Sequence, residues 1–600
     1  MLEALAKMLP VRNPGKQASQ RAGLTPATGV AGDAAGPAAL RPGEVTSPSP
    51  AGPPPGPAEP PSPPGPSSPP GARARLLTPA ALIITVFALV ALGLRLYQLA
   101  RPGFLLSVTE YDDGPYFGSA VRLVNGSIPY RDFLLVQPPG ITLLMTPAAL
   151  LGKAAGSTDW AIAIGRLMTV AASVACVVLA GLLTRHRGAI AVVVACGLTA
   201  VYPDSIQAAH TVLVEPWLAM FCLAGALAIF DGDRFTTSTR RLAWGGVAFG
   251  FAGAVEVWAI FPLVIIAAAM LRQPRQVISC LAGAAAGFLV PVLPFAAASP
   301  KGFYDGLVTA QVGSRVNAAR VPSWYRMKEM TGLSGIHIAH STAWLAALAI
   351  ALLVLVLTGL AWAVTRQLPT LLEWFAQGSA VLIVAAFMWP IQFHYHFVAF
   401  LAPFVGLGIG LPAARLLRGI AAGRRARPAA GPGRDALAAR WPEWGAVAVA
   451  VIVLAGFTAS QARAISRLEP HVQYSTITRV RQLIPPGACV VTDQASLTIT
   501  ANRFVSGQPG CPLLVDSIGT DYALSHGRNP LTGAARFPAL VAVWRNALAR
   551  AQYVWLSGRE AHRVPWTPAL MAYLSQHFTQ IKGHGVEGGV FRRDGLPGPR

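Results

Sequence analysis

The chain has 600 residues, of which 53% are hydrophobic and 12% charged, and its mean hydropathy is positive, which excludes an ordinary soluble protein. Apolar runs of about 20 residues recur along it, so we expect a polytopic membrane protein. Lysine and arginine number 48 against 26 acidic residues, a net charge of +22. Because the arginines fall mostly between apolar runs, the positive-inside rule explains this excess. We expect membrane lipids as partners, and no nucleic acid.

The first 77 residues are rich in proline, glycine, alanine and serine. Such a segment cannot bury enough apolar surface to fold, so residues 1–77 are predicted to be a disordered tail. The segment contains no apolar stretch followed by a cleavage site, so it does not resemble a signal peptide. Arg73 and Arg75 directly precede the first apolar run, which predicts that this tail is cytoplasmic.

About eleven transmembrane helices are predicted. Most belong to a core at residues 78–414, and a last helix lies at 444–460. The expected spans are 78–99, 160–184, 189–203, 212–230, two short helices within 242–271, 277–298, 342–365, 375–391, 397–414 and 444–460. A short apolar helix near 141–152 is expected to lie in the outer interface.

The arginines set the expected orientation of these spans. Residues 415–443 form the most basic segment, with Arg415, Arg418, Arg424, Arg425, Arg427, Arg434 and Arg440, and are predicted to be a cytoplasmic linker. Every other arginine-rich loop falls on the same side. The long loops at 101–159 and 299–338 are therefore expected outside.

Residues 461–600 differ in kind, because short β-like runs alternate there with helical stretches. We predict a small extracytoplasmic α/β domain. Cys489 and Cys511 lie in this segment and are expected to form a disulfide if the compartment is oxidising. The fold class is thus an all-α polytopic membrane protein with a small C-terminal α/β domain. The other four cysteines lie within apolar runs and fit packing residues: Cys176, Cys196, Cys222 and Cys280.

The most distinctive stretch, residues 107–140, follows the first span. It holds three carboxylates, Glu110, Asp112 and Asp113, within four positions. Aromatic side chains and cations are interleaved with them: Tyr111, Tyr116, Tyr130, Phe133, Arg122 and Arg131. Such a mixture suits a polar, anionic, ring-containing ligand at a membrane surface. The alternative is a solvated loop without chemistry.

The order of motifs resembles bacterial members of the GT-C class of membrane glycosyltransferases, which are relatives of protein mannosyltransferases and aminoarabinose transferases (glycosyltransferase family 39-like). The motifs that carry the resemblance are EYDDGPYF, NGSIPYRDF, QPPGITLLMTPAALLG, a span beginning with Ala161 to Arg166, HTVLVEP at 210–216 and FHYHFVAFLAPF at 393–404. The resemblance covers roughly residues 78–420.

This resemblance implies an enzyme of the bacterial plasma membrane that acts in cell-envelope assembly. It would move a sugar from a polyprenyl-phosphate donor to a glycan, lipid or protein acceptor at the outer face. Inverting transfer needs a carboxylate to accept the proton of the acceptor hydroxyl, opposite a phosphate leaving group. Asp112 matches the family's catalytic acid position, and Asp113 replaces its usual Glu neighbour. Glu110 and Asp113 are the alternatives for the base.

Substrate contacts are expected from two kinds of residue. The departing phosphate needs positive charge or hydrogen-bond donors. The candidates are Arg131, Arg166, His394, Tyr395 and His396, with Tyr116 as an aromatic contact. Glu215 is included because a carboxylate inside a membrane is costly, although it could simply mark the end of a span. Glu256 reverses the charge of a Lys that the family often carries nearby.

No cofactor is required by the sequence. A divalent metal held by Asp112, Asp113 and the histidines is conceivable, but no compact ligand spacing supports it. The alternative function is a proton-coupled transporter or lipid flippase. That class favours inverted repeats and charged residues at mid-span, and the sequence contains no evident repeat. A non-catalytic envelope scaffold is a third alternative.

Overall fold

The computed structural model describes residues 78–317, 320–334, 338–425, 441–557, 563–583 and 589–596. The predicted disordered tail at 1–77 and most of the predicted basic linker lie outside the described residues. The last core helix runs on to Arg425, past the boundary at residue 414 that we predicted for the core.

The core is helical. In chain order its elements are α1 (Pro79–Leu99), α2 (Asp113–Val124), α3 (Gly140–Ala155), α4 (Thr158–Thr184), α5 (Ala189–Val201), α6 (Pro203–Gln207), α7 (Glu215–Ile229), β1 (Phe230–Asp231), β2 (Arg234–Phe235), α8 (Thr239–Val255), α9 (Ile260–Ala269), α10 (Pro274–Ala298), α11 (Pro300–Tyr304), α12 (Gln311–Asn317), α13 (Ser323–Met330), α14 (His340–Thr365), α15 (Leu371–Met388), α16 (Val398–Arg425) and α17 (Trp441–Ser466). One π-helical turn, Asp305–Ala310, and short 3₁₀ turns connect some of them.

Seven helices of the described chain are long and apolar enough to cross a membrane, and four shorter apolar helices accompany them. The seven are α1, α4, α10, α14, α15, α16 and α17. Together with α8 and the shorter apolar helices α5, α7 and α9, these seven occupy every position at which a span was predicted. The chain is a multi-pass membrane protein, and the prediction of an all-α membrane core is confirmed.

Local sequence signals fix several helix ends. Proline stands in the first turn of α1, where its missing N–H is not needed, and the Thr78 hydroxyl accepts a hydrogen bond from the Ala81 amide. The tight turn between α3 and α4 uses Gly156, whose φ of 64° suits glycine, followed by the N-cap Ser157. These two residues turn the chain from the short apolar helix directly into a long span.

Helices α8 and α10 pack closely against each other in the core. Each presents two glycines one turn apart, Gly246 and Gly250 on α8 and Gly283 and Gly287 on α10. A Cβ atom added at any of the four would overlap a backbone carbonyl oxygen of the other helix. Small residues of this spacing allow backbones to approach within membranes, where packing replaces the hydrophobic effect.

The C-terminal domain begins after α17. Its elements are α18 (Tyr474–Leu483), β3 (Val490–Thr492), α19 (Ala495–Thr500), α20 (Ser517–Leu524), α21 (Pro538–Arg550), β4 (Tyr553–Leu556), α22 (Pro568–His577), β5 (Phe578–Gly583) and β6 (Gly589–Arg593). The four-stranded sheet has the order β3-β4-β6-β5, with β3 and β4 parallel and the other pairs antiparallel. The predicted α/β domain is confirmed. Cys489 and Cys511 form the expected disulfide, with Cα atoms 5.5 Å apart.

This domain docks directly onto the loop and helices that follow α1. The Thr158 hydroxyl at the start of α4 donates to the Ile499 carbonyl at 2.7 Å, and Arg122 on α2 donates to the Phe504 carbonyl at 2.9 Å. At Gly114, an added Cβ would stand 2.6 Å from the Ser496 amide nitrogen. The C-terminal domain therefore packs against the acidic loop at residues 107–140 and covers one side of it. We call this end of the helix bundle the domain side, and the opposite end, which carries Arg187, Arg241 and Arg415, the arginine side.

Candidate active site

A cavity of about 390 Å³ lies on the domain side, between the acidic loop and the C-terminal domain. Five parts of the chain contribute to its walls. They are the acidic loop (Glu110, Tyr111, Asp112, Pro115, Tyr116), the following turn (Val136, Gln137), the segment around α12 (Ala310, Gln311, Ser314), the turn before α16 (Gln392, His394, Phe397), and the C-terminal segment (His471, Asp516, Ile518, Gly519, Tyr522, Asn529, Arg563). Acids, hydroxyls, amides and aromatic rings thus converge on one cavity.

Asp112 is the N-cap residue of α2 and faces this cavity, with 26% of its side chain exposed. Its Oδ2 lies 3.3 Å from Nε2 of His396, whose Nδ1 lies 2.8 Å from Oε1 of the buried Glu215. Burial alone would raise the pKa of Asp112, but the hydrogen bond and charge of His396 hold it below its usual value. Asp112 is therefore ionised at neutral pH, with one oxygen held and the carboxylate open to a ligand.

Glu110 borders the same cavity. Its Oε2 accepts a hydrogen bond from the Tyr395 hydroxyl at 2.9 Å. Burial, and then the charge of Asp112, raise the pKa of Glu110. Two of the three predicted carboxylates, Glu110 and Asp112, thus meet in one place, together with Tyr395 and His396 from the turn before α16.

Asp113 points the other way. Its Oδ2 accepts from Arg166 at 2.8 Å and from the Thr211 hydroxyl at 2.6 Å, and neither Asp113 nor Arg166 has any exposed side-chain surface. Arg166 also donates to the backbone carbonyls of Phe104 and Ser107, each at 2.8 Å. Neither side chain borders the cavity. The predicted phosphate contact of Arg166 and catalytic role of Asp113 do not fit this geometry, because the guanidinium is already enclosed by protein oxygens.

The remaining predicted residues divide in the same manner. Tyr116 and His394 line the cavity, and the Tyr116 hydroxyl accepts from the Gln137 amide at 3.1 Å. Arg131 does not reach it, since its guanidinium pairs with the adjacent Asp132 at 2.9 Å and is 48% exposed. A substrate contact from Arg131 would need the side chain to leave that surface pair.

Comparison with known proteins indicates the class of enzyme to which this chain is similar. The family model described as glycosyltransferase family 87 matches residues 136–390, which is less than half of the chain. The crystal structure of ArnT from Cupriavidus metallidurans bound to undecaprenyl phosphate superposes with a TM-score of 0.55 at 15% identity, covering 86% of this chain and 99% of that chain. Its apo form gives a TM-score of 0.53 at 13% identity, covering 86% and 98%. No curated protein sequence matches.

The chain is a GT-C-like membrane glycosyltransferase. The structural likeness, at so low an identity, establishes the fold, and the family model indicates the transferase class. The expected resemblance to the GT-C class is confirmed, with family 87 matching where a family 39-like relative was expected.

The glycosyltransferase has a second, smaller chamber of about 50 Å³ beside the main cavity. The two share lining residues, among them Gln137, Gln311 and Phe397. The small chamber adds Glu256, Arg315 and the apolar side chains of Trp258, Phe387 and Pro390. A cation, an acid and an apolar wall thus lie next to the main cavity, near the start of α9 and the end of α15.

Sequence reasoning missed several residues of this site. Arg315 lies in a long loop whose path cannot be read from hydropathy. None of the residues that the C-terminal segment contributes to the wall was predicted: His471, Asp516, Tyr522, Asn529 and Arg563. Tyr111 and Asp516 touch across 405 positions of sequence, and no local motif marks that contact. Within the described ranges, no group of three or more His, Cys, Asp or Glu residues could hold a metal ion.

Proposed function

We propose that this glycosyltransferase moves a sugar from a polyprenyl-phosphate donor to an acceptor hydroxyl, with Asp112 as general base. The observation that carries the proposal is the row Glu215–His396–Asp112, which ends at the open carboxylate in the cavity. Held between two carboxylates, the imidazole can donate from both ring nitrogens. Asp112 is then oriented and kept ionised by one bond while its other oxygen is available to the acceptor.

The reaction follows from this arrangement as a single displacement. The acceptor hydroxyl gives its proton to Asp112 as its oxygen attacks the anomeric carbon of the donor sugar. The bond between that carbon and the phosphate oxygen breaks, and polyprenyl phosphate leaves with the electron pair. Attack opposite the leaving group inverts the anomeric centre. The pKa of Glu110 is raised by burial and by the charge of Asp112, whereas the pKa of Asp112 is lowered, which favours Asp112 as the ionised acid of the two.

The small chamber is too small to hold the phosphate, which we place in the main cavity next to it. Arg315 supplies the positive charge that the departing phosphate needs. Burial raises the pKa of Glu256 to about 7, so this residue can remain protonated beside a phosphate. The reversed charge at the position where relatives often carry Lys is in this way offset by an arginine from another segment. ArnT was crystallised with undecaprenyl phosphate, which supports a lipid phosphate as the donor's carrier here.

We propose that the reaction takes place at the outer face of a bacterial plasma membrane. The arginine side carries residues such as Arg187, Arg241 and Arg415, and the positive-inside rule makes that side cytoplasmic. The domain side, with the cavity and the Cys489–Cys511 disulfide, then faces an oxidising compartment. The acceptor is a glycan, lipid or protein of the cell envelope that presents a hydroxyl group.

The test is transfer of radiolabelled sugar from a panel of polyprenyl phosphate monosaccharides, in membranes that contain wild type or Asp112→Asn protein. We expect transfer from one donor, reduced about 10²–10⁴-fold in the variant, because a general base contributes that much. Full activity in Asp112→Asn would reject Asp112 as the base. The absence of transfer from every donor in wild-type membranes would reject the proposed donor class.

A further inference from the structure

Helix α20, together with its N-cap residue Asp516, lies over the main cavity, and we call it the roof helix. It belongs to the C-terminal domain. Both ends of the roof helix are bonded to segments that carry residues of the proposed mechanism. Those bonds suggest that the domain acts on the site itself.

The first end is bonded to the acidic loop. The hydroxyl of Tyr111 donates to Oδ1 of Asp516 at 3.0 Å and accepts from the Ile518 amide at 2.9 Å. The same hydroxyl lies 2.9 Å from Oγ of Ser517. The Tyr111 and Asp516 side chains are buried. Since Tyr111 directly precedes Asp112, these bonds fix the backbone from which the proposed base projects.

Other residues of the domain hold the same loop from a second direction. The Glu110 carbonyl oxygen accepts from Nε2 of Gln494 at 2.9 Å and from Oγ of Ser496 at 3.1 Å. The guanidinium of Arg563 stacks on the Tyr111 ring, 4.5 Å from its centre. The residues immediately before the base are therefore held largely by the C-terminal domain.

The second end of the roof helix is bonded to the turn before α16. The Tyr522 hydroxyl accepts from Nε2 of Gln392 at 2.5 Å. Gln392 shortly precedes His394 and His396 in the chain. One rigid helix thus joins the segment that carries Asp112 to the segment that carries its imidazole partner.

We propose that the C-terminal domain is a positioning element of the active site, and that Asp516 sets the place of Asp112 through the Tyr111 hydroxyl. Asp516 has a specific role because its Oδ1 accepts from both Tyr111 and the Gly519 amide, the latter at 2.8 Å. Alanine would leave both buried donors without their acceptor. Asparagine would keep one oxygen for them. The proposal rests on Asp112 being the base, as proposed above.

Activity is measured on purified full-length protein with the polyprenyl phosphate sugar that wild type uses. We expect Asp516→Ala to lower kcat about 10–100-fold with little change in the donor KM, because a displaced base slows chemistry more than binding. Tyr111→Phe removes only the hydroxyl and should lower kcat in the same direction. The double variant should be no slower than Asp516→Ala, since both changes break one contact. Asp516→Asn should recover most of kcat.

The matched control is Asp521→Asn, a buried carboxyl on the same helix that does not line the cavity. It should keep its kcat even if its melting temperature falls. The proposal is overturned if Asp516→Ala keeps kcat or raises KM alone. It is also overturned if Asp516→Ala and Tyr111→Phe both lose kcat only in proportion to their loss of thermal stability.

A second measurement does not depend on activity. The amides of Gly114 and Tyr116 bond to the carbonyls of Tyr111 and Asp112. Hydrogen exchange at these amides should become faster in Asp516→Ala and stay unchanged in Asp521→Asn. Unchanged exchange in Asp516→Ala would reject the positioning role even if Asp112 is the base. If exchange is faster in Asp516→Ala but the wild type transfers no sugar from any donor, the positioning of the loop is supported and the proposed function is rejected.

Discussion

Asp112 and Asp113 are neighbours in sequence and opposites in environment. Asp113 is the first residue of α2, has no exposed side-chain surface, and is bonded to Arg166 and Thr211. Asp112 lies on the cavity side, is 26% exposed, and has His396 as its partner. The start of a helix directs two successive side chains to different sides, so one carboxylate anchors the loop while the other meets a ligand. Adjacent acids in a motif therefore need not share a role.

The two partners of these acids differ as their roles require. A buried ion pair recovers the cost of losing water only when further hydrogen bonds satisfy its atoms. Arg166 meets this condition with the carbonyl oxygens of Phe104, Leu105 and Ser107 as well as Asp113. Asp112 has a weaker partner at a longer distance, which leaves it able to accept a proton.

The largest expected effect comes from breaking the closed pair. Arg166→Leu leaves Asp113 buried without a cation, and we expect a loss of about 3–5 kcal/mol in the free energy of unfolding. Thermal unfolding in detergent measures it. The double variant Arg166→Leu/Asp113→Leu should recover part of that loss. A single variant as stable as wild type would show that the pair does not anchor the loop.

Asp516 extends the comparison to a buried carboxyl whose hydrogen bonds come from neutral donors. Burial raises its pKa to about 6, against 3.8 for an ordinary aspartate. Between these pH values the folded protein retains a proton that the unfolded chain has released, so stability falls as pH rises from about 4 to 6. The contribution is at most about 3 kcal/mol. Melting curves of Asp516→Asn should lack this component, and an identical pH dependence in both proteins would contradict the assignment.

A change at Glu215 tests the contact between His396 and Asp112, the acid that faces the cavity. Glu215→Gln keeps the shape of the side chain but removes the charge that faces Nδ1 of His396. We expect kcat to fall about tenfold, because the hydrogen bond from His396 to Asp112 weakens when the imidazole loses its charged partner. The rate should recover partly at lower pH, where His396 is protonated more readily. A variant with the rate and pH profile of wild type would separate Glu215 from the site.

The smallest effect is expected at Arg131, a cation paired with an acid as Arg166 is, but at the surface. Water screens this exposed pair, so Arg131→Ala should change neither the melting temperature nor sugar transfer measurably. A clear loss of transfer would restore Arg131 as a substrate contact.

The membrane helices were predictable because hydropathy and arginine positions report burial in lipid directly. The acidic cluster stood out because three carboxylates at the end of a span are unusual, and Asp112 was chosen as the base within it because of the resemblance to the GT-C motif. The opposite directions of Asp112 and Asp113 could not be predicted, since they depend on where α2 begins. Arg166 was assigned to a substrate because an arginine near a motif reveals its charge but not the carbonyl oxygens around it. Asp516 and Arg315 became visible only when distant segments met.

The glycine contact between α8 and α10 has a consequence far from the glycines. Two helices whose backbones touch at successive turns cannot slide or separate without losing that contact. Helix α8 ends at Val255, directly before Glu256, and α10 leads into the segment that carries Arg315. The distance between Glu256 and Arg315 in the small chamber therefore depends on the absence of a Cβ atom at four glycines within the helix bundle. Even the substitution Gly250→Ala should push α8 and α10 apart, and so shift Glu256 relative to Arg315 beside the proposed phosphate position.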